Sequence, residues 1–137
     1  MDKALNYVAL ARKAGRIELG EEPVGAAARA QHARLVIVAA DASDHTWRRA
    51  KSFVAGTEQL CIRIPHDKDQ LGEAVGRSSL AIAAFTDPAM ALAFVKCLPE
   101  QDPAVLENLD RRTRRIAQRQ KEEKAHQRNK RIGKKKQ

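Results

Sequence analysis

The sequence predicts an α/β protein in which one sheet lies between two layers of helices, a three-layer α/β/α sandwich. Two observations carry this prediction. Helical and strand patterns alternate along residues 1–98, and the strand patterns at Leu35–Ala40 and Leu80–Phe85 are continuous apolar runs, typical of strands buried on both faces. Such alternation places helices on both sides of a central sheet, and 137 residues allow one such domain with a short appendage.

The first half of this body is predicted from apolar spacing and from residues that end helices. Asp2–Ala14 has a helical spacing of apolar residues, and Gly15 follows as its C-cap. Residues 21–23, Glu-Glu-Pro, begin a second helix that extends to about His32, because acids and proline favour a first helical turn. Short strands are predicted at Arg16–Leu19, Leu35–Ala40, Leu60–Ile64 and Leu80–Phe85.

The later body helices each begin at a side chain that caps helix N-termini: Ser43, Asp67 and Asp87. Gln70 completes a capping box with Asp67, and Pro88 occupies a first helical position. Gly56 and Gly76 end the first two of these helices, and the last extends to about Leu98.

The C-terminal part of the chain differs in charge from the body. Residues 99–110 form a predicted linker, and residues 111–137 form a basic tail. The tail has 13 Lys and Arg against 2 Asp and Glu, a net charge of +11. Residues 1–110 have 13 Lys and Arg against 15 Asp and Glu, a net charge of −2. With only Ile116 and Ile132 as large apolar residues, the tail is expected to be disordered or a solvated helix.

The tail is suited to neutralising phosphates and has no aromatic residue for reading bases. The alternative is that it only keeps the protein in solution. The expected phosphate contacts are Arg111, Arg112, Arg114, Arg115, Arg119, Lys130, Arg131, Lys134, Lys135 and Lys136.

Catalysis, metals and cofactors are not expected. The sequence has no phosphate-binding glycine loop, no dinucleotide fingerprint and no nucleophile elbow, and its acid pairs at residues 41/44 and 67/69 lie where helix caps are predicted. Cys61 and Cys97 lack metal-ligand spacing and are expected to be buried, reduced thiols. No signal peptide or membrane span is visible, so we expect a cytoplasmic protein with no membrane partner.

Five segments follow one another along the body: Leu10–Arg16, Gly20–Glu22, Ala33–Ser43, Leu71–Gly76 and Leu80–Asp87. Together they resemble the bacterial YlxQ-like branch of the kink-turn-binding ribosomal protein superfamily. The resemblance covers about residues 3 to 98. It implies an α/β/α fold without known enzymatic activity that binds structured RNA, often ribosomal, through two neighbouring loops.

The resemblance also implies where RNA contacts lie. Gly20 and Glu22 belong to the first loop, and the second loop, after Gly76, contributes Arg77, Ser78 and Ser79. Glu22 either accepts hydrogen bonds from a guanine edge or stabilises the helix N-terminus, and the second loop is otherwise an ordinary surface turn. Where kink-turn binders have Asn, Glu and Lys, the sequence has Glu22, Pro23 and Ala26, so weak kink-turn binding is expected.

Four further residues are candidate contacts. Trp47 falls where the family places an apolar residue against an extruded base, and its alternative role is packing on the body. Lys13, Arg16 and Arg29 either contact phosphates near the first loop or are simply solvated charges.

These observations predict a non-enzymatic RNA-binding protein that associates with ribosomal RNA or the translation apparatus, including its proteins, and is a monomer when free. One alternative is a protein-interaction adaptor that keeps the fold without specific RNA reading. Another is an accessory that recruits substrate to an RNA-modifying enzyme.

Overall fold

The computed structural model describes the backbone of residues 2–135 and the side chains of residues 2–130. Within residues 2–135 the chain forms six helices and four strands. In chain order they are α1 (Lys3–Ala14), β1 (Ile17–Leu19), α2 (Glu21–Arg29), β2 (Leu35–Val38), α3 (Asp44–Val54), β3 (Leu60–Arg63), α4 (Lys68–Ala74), β4 (Ile82–Phe85), α5 (Pro88–Lys96) and α6 (Pro103–Lys135).

The four strands form one mixed sheet in the order β1-β4-β2-β3. β2 and β3 are parallel, and β4 runs antiparallel to both of its neighbours. Val38 pairs with Ile82 on one side and with Arg63 on the other, while Leu19 pairs with Ala83. β1, β2 and β3 therefore finish, and β4 begins, at the same end of the sheet, which we call the loop end.

Helices cover both faces of the sheet, which confirms the predicted sandwich. α2 packs on α3 over one face, while α1 packs on α4 and α5 over the other. β2 and β4 are buried along their whole length, and the rings of Phe85 and Phe94 lie 5.2 Å apart in the core. Burial on both faces explains why these two strands are continuous apolar runs.

The predicted helix ends are largely confirmed, and the end of α2 is an exception. Gly15 ends α1 in the left-handed conformation, Ser43 and Asp87 accept from backbone N–H groups, and Asp67 forms a capping box with Gln70. α2 ends at Arg29 and not near His32 as predicted, because Gln31 takes a φ of 62°, which no helical turn accommodates.

Most of the predicted linker, residues 99–110, is helical. Residues 103–110 are the first turns of α6, which packs on α5 and continues without a break to Lys135. Val105 and Leu109 are buried and four residues apart, so one face of the helix joins the core. The division into body, linker and tail stays a prediction.

Both cysteines are free and half-buried, which makes them less enclosed than predicted. Burial raises the pKa of the Cys61 thiol to about 12, against the opposing effect of nearby Lys51 and Arg63. None of the helices in the described residues is long and apolar enough to span a membrane.

Candidate nucleic-acid interface

The two predicted loops meet at the loop end of the sheet. Gly20 follows β1 and donates its N–H to the carbonyl of Ile82 at 3.0 Å, which joins the first loop to the start of β4. An ideal Cβ on Gly20 would lie 3.9 Å from Nη1 of Arg77, so the exposed guanidinium of the second loop packs beside this glycine. Gly20 has a φ of 96°, a conformation that side chains rarely adopt. The structure thus brings the guanidinium of Arg77 close to Gly20.

The second loop is held against α4 by backbone contacts. The backbone N–H of Arg77 donates to the carbonyl of Gly72 at 2.8 Å, and the backbone N–H of Leu80 donates to the carbonyl of Lys68 at 3.0 Å. A Cβ on Gly72 would lie 2.8 Å from the nitrogen of Ser79 and 2.9 Å from the carbonyl oxygen of Arg77. Residues 77–79 therefore lie directly on the helix backbone, which only glycine permits at this distance.

Gly76 turns the chain out of α4 with a φ of 75°, and the side chains beyond it face solvent. Arg77, Ser78 and Ser79 are all exposed. A planar guanidinium beside two hydroxyl groups is a set of donors suited to phosphate oxygens. No carboxylate within the described residues forms an ion pair with Arg77.

The two acids at the start of α2 have different surroundings. Glu21 accepts from Nε of Arg49 at 2.6 Å and so links α2 to α3. Glu22 is exposed and makes no ion pair among the described residues. Gly20 provides no side-chain cap, so the first N–H groups of α2 lack a capping side chain.

The basic residues predicted near the first loop lie at various distances from it. Arg29 is exposed on a groove shared with Glu22, and its Nη1 would lie 3.4 Å from a Cβ on Gly25. Arg16 lines a second groove beside α2, together with Pro23 and Ala26. However, Lys13 and Arg16 precede β1, so that strand, roughly 10–13 Å long, separates them from Gly20. The structure does not bring these two residues to the junction of the loops.

Trp47 lies on α3, beside Arg63 at the end of β3. Its indole is half-buried against the core, with the Arg63 guanidinium 4.9 Å and the Lys51 ammonium 5.4 Å from the ring centroid. The indole therefore combines body packing with contacts to two cations.

The exposed part of α6 carries cations on all sides. Arg111 and Arg114 pair with Glu107 and Asp110 one turn earlier, at 3.9 Å and 2.6 Å. The other described cations from Arg115 to Lys130 are exposed: Arg115, Arg119, Lys121, Lys124, Arg128 and Lys130. Arg131, Lys134 and Lys135 belong to the helix, but their side chains lie outside the described residues, as does the whole of Lys136.

Arg112 is buried, although the sequence predicted it as a solvent-facing phosphate contact. It is only 7% exposed, and its Nη2 lies 3.5 Å from Glu58. Burial lowers the pKa of its guanidinium, and nearby Arg34 acts in the same direction. Arg112 follows Val105 and Leu109 on the packed face of α6, which directs it toward the body.

One member of each acid pair considered for catalysis accepts a hydrogen bond from a backbone N–H at the start of α4. Asp67 accepts from the N–H of Gln70, and Asp41 accepts from that of Lys68, both at 2.8 Å. Among the described residues no group of three His, Cys, Asp or Glu side chains has the geometry to hold a metal ion.

Sequence reasoning missed three residues that shape these surfaces. Gly72 supports the second loop, and Lys51 and Arg63 lie against Trp47. The spacing of four between Trp47 and Lys51 was a usable signal, since such residues are neighbours on a helix. The position of Arg63 depends on how β3 pairs and had no local signal.

Part of the chain is similar in sequence to a known RNA-binding protein. The chain is 37% identical over 62 residues to the RNA-binding protein YlxQ of Enterococcus faecium, a match that covers 45% of this chain and 60% of that protein. The chain is similar in sequence to part of this RNA-binding protein. The match thus spans less than two thirds of its relative's length, and no protein-family model matches the chain.

Solved structures show that the chain shares its fold with other proteins. A protein of unknown function from Bacillus halodurans C superposes with a TM-score of 0.67 at 23% identity, over 73% of this chain and 100% of that one. The Giardia lamblia 15.5kD RNA binding protein superposes with a TM-score of 0.59 at 19% identity, over 77% and 83% of the two chains. The fold prediction is therefore confirmed.

Proposed function

We propose that this chain is a YlxQ-like, non-enzymatic RNA-binding protein that associates with ribosomal RNA or the translation apparatus. The observation that carries the proposal is the junction at the loop end, where the exposed Arg77 guanidinium packs beside Gly20. A relative named as an RNA-binding protein agrees with this function.

The proposal divides the work between two parts of the chain. The loops present backbone N–H groups, hydroxyl groups and one guanidinium on a surface fixed by the sheet, which suits recognition of a folded RNA by its shape. α6 presents six exposed cations between Arg115 and Lys130, which suits sequence-independent phosphate contacts. Glu22, Pro23 and Ala26 are not the residues that kink-turn binders use, so the proposal does not include kink-turn specificity.

The direct test compares two RNAs with the same protein. Residues 1–115 keep the buried face of α6 and lose its exposed part. This shortened protein is expected to bind a folded ribosomal RNA fragment more tightly than an unstructured RNA of equal length, as measured by fluorescence anisotropy of labelled RNA. Equal binding to both, or none, would favour the protein-interaction adaptor.

The Arg77→Ala variant tests the loop junction. Because the guanidinium is exposed, we expect unchanged thermal stability, whereas loss of its charge-assisted hydrogen bonds weakens RNA binding by about 1–3 kcal/mol. Arg12→Ala is the matched control, since Arg12 is an exposed arginine in the last turn of α1. Equal binding by the two variants would remove Arg77 from the interface.

A further inference from the structure

Beyond the loop junction, three residues form a second cationic surface at the loop end of the sheet. Trp47 comes from α3, Lys51 lies one turn later on the same helix, and Arg63 ends β3. We call this set the α3–β3 patch. Both cations lie over the indole, at 5.4 Å for Lys51 and 4.9 Å for Arg63.

The two cations of this patch form no ion pair within the described part of the chain, although Glu100 and Asp102 line the same groove as Arg63. Both cationic side chains are exposed. Arg49, by contrast, lies in the same helix and is paired with Glu21 at 2.6 Å. The patch therefore retains two positive charges that are available to an external anion.

The indole holds these cations in place. A cation over an aromatic face is attracted to the ring quadrupole, and Trp gives the strongest such interaction of the aromatic residues. Because Trp47 is half-buried against the core, it cannot follow the two flexible side chains, and they are drawn to it. The same arrangement covers the ring that an extruded base would need for stacking.

The position of the patch relates it to the loop junction. Arg63 pairs in register with Val38, which pairs with Ile82, the residue that accepts from Gly20. β1 and β3 are the two edge strands, three strand spacings apart, which corresponds to roughly 14 Å. The backbone of one RNA can therefore contact both the loop junction and the α3–β3 patch at the loop end of the sheet.

We propose that the α3–β3 patch is a second phosphate-binding surface, in which Trp47 positions Lys51 and Arg63 to clamp the backbone of an RNA bound at the loop junction. The inference rests on the proposed function and extends it. Trp47 is a positioning residue in this arrangement, and the contacts with RNA are made by the ammonium and the guanidinium.

The experiment uses the fact that Trp47 is the protein's single tryptophan. The full chain is titrated with the folded ribosomal RNA fragment, and tryptophan emission is recorded beside the anisotropy of labelled RNA. Free tryptophan amide titrated in parallel corrects for absorption by the RNA. We expect Trp47 emission to change with the same midpoint as the anisotropy.

Two double variants then separate the patch from general loss of charge. Lys51→Gln with Arg63→Gln is expected to abolish the emission change and to reduce the magnitude of the salt slope of log K by about 1.4, at about 0.7 for each single-strand phosphate contact. Arg12→Gln with Lys96→Gln removes one arginine and one lysine, both exposed and outside the patch, and should change neither readout.

Three results would overturn the inference. RNA binding without any change in Trp47 emission would show that the patch is not used. An emission change that persists in the first double variant, with an unchanged salt slope, would mean that a base stacks on the indole. If the full chain bound no RNA by anisotropy, the proposed function would fail first and the inference with it.

Discussion

Gly72 determines where the second loop lies, although it makes no side-chain contact of its own. In a helix, replacing glycine by alanine usually stabilises by about 0.5–1 kcal/mol. Here the added Cβ would lie 2.8 Å from the nitrogen of Ser79, so the loop backbone must move. For Gly72→Ala we expect destabilisation of about 1–3 kcal/mol by overpacking, together with weaker RNA binding.

Thermal unfolding and anisotropy measure these two effects. Glu73→Ala is the control, because Glu73 is exposed on the same helix. A Gly72→Ala protein that is more stable than the parent and binds RNA equally well would show that the loop tolerates displacement.

Asp2 connects the start of α1 to a buried histidine. Its carboxylate accepts from the N–H of Leu5 at 2.8 Å and lies 2.6 Å from Nε2 of His66. The hydrogen bond from Leu5 and the neighbouring His66 lower the pKa of Asp2 below its ordinary value of 3.8, against the opposing effect of desolvation. A carboxyl with a lowered pKa in the folded state stabilises above its ordinary pKa, and this contribution is lost as pH falls through the lowered value.

The difference in free energy of unfolding between the Asp2→Asn variant and the parent is therefore expected to decrease as the pH falls. At neutral pH Asn still caps the helix, so the variant should lose only the favourable interaction of the carboxylate charge with the helix N-terminus, roughly 0.3–1 kcal/mol. Below about pH 3.8 the difference should shrink, because the parent carboxylate becomes protonated too. Denaturant unfolding of both proteins across this pH range checks the result, and a constant difference would contradict it.

At the level of single residues, the sequence predicted side chains whose roles depend on near neighbours. The caps at Ser43 and Asp67 bond to backbone three residues away, so their pattern is visible locally. Arg112 looked like its neighbours in a run of arginines, yet it is buried, because its direction depends on which face of α6 packs on the body. The contact of Arg63 with Trp47 likewise depends on strand pairing.

At the level of elements, α6 is a helix whose first turns have a short apolar pattern and whose remainder is mostly polar. Val105 and Leu109 are buried four residues apart, so the first turns of the helix pack on the body. For the tail the sequence left disorder and a solvated helix open, because polar residues beyond Arg112 give no packing signal, and the structure has the helix, which continues to Lys135. At 1.5 Å per residue its 33 residues extend roughly 50 Å.

The buried turns and the exposed part of α6 should therefore differ in their effect on stability. Leu109 is fully buried, and Leu109→Ala is expected to cost about 2–5 kcal/mol. Deleting residues 116–137 should change the free energy of unfolding by less than about 1 kcal/mol, because the exposed side chains make few contacts with the body. Denaturant unfolding of both proteins tests this, and equal losses would place much more of α6 in the cooperative unit.

At the level of the whole molecule, alternating patterns were sufficient to predict the sandwich, because burial on both faces requires continuous apolar strands. The neighbouring loops were predicted only through the family resemblance, because no local pattern of residues relates them. Gly20 and Arg77 are 57 positions apart, and only the antiparallel pairing of β1 with β4 brings their loops together. The RNA contacts themselves stay a prediction at every residue.

The salt dependence of RNA binding, compared between the full chain and residues 1–115, tests the division of labour most directly. If about six phosphates are neutralised at about 0.7 each, the full chain gives a slope of log K against log salt near −4. The shortened protein lacks the exposed cations from Arg119 onward and should lose at least half of that magnitude while keeping its preference for folded RNA. An unchanged slope, or loss of the preference for folded RNA on shortening, would contradict the claim that the body recognises folded RNA while α6 supplies most of the phosphate contacts.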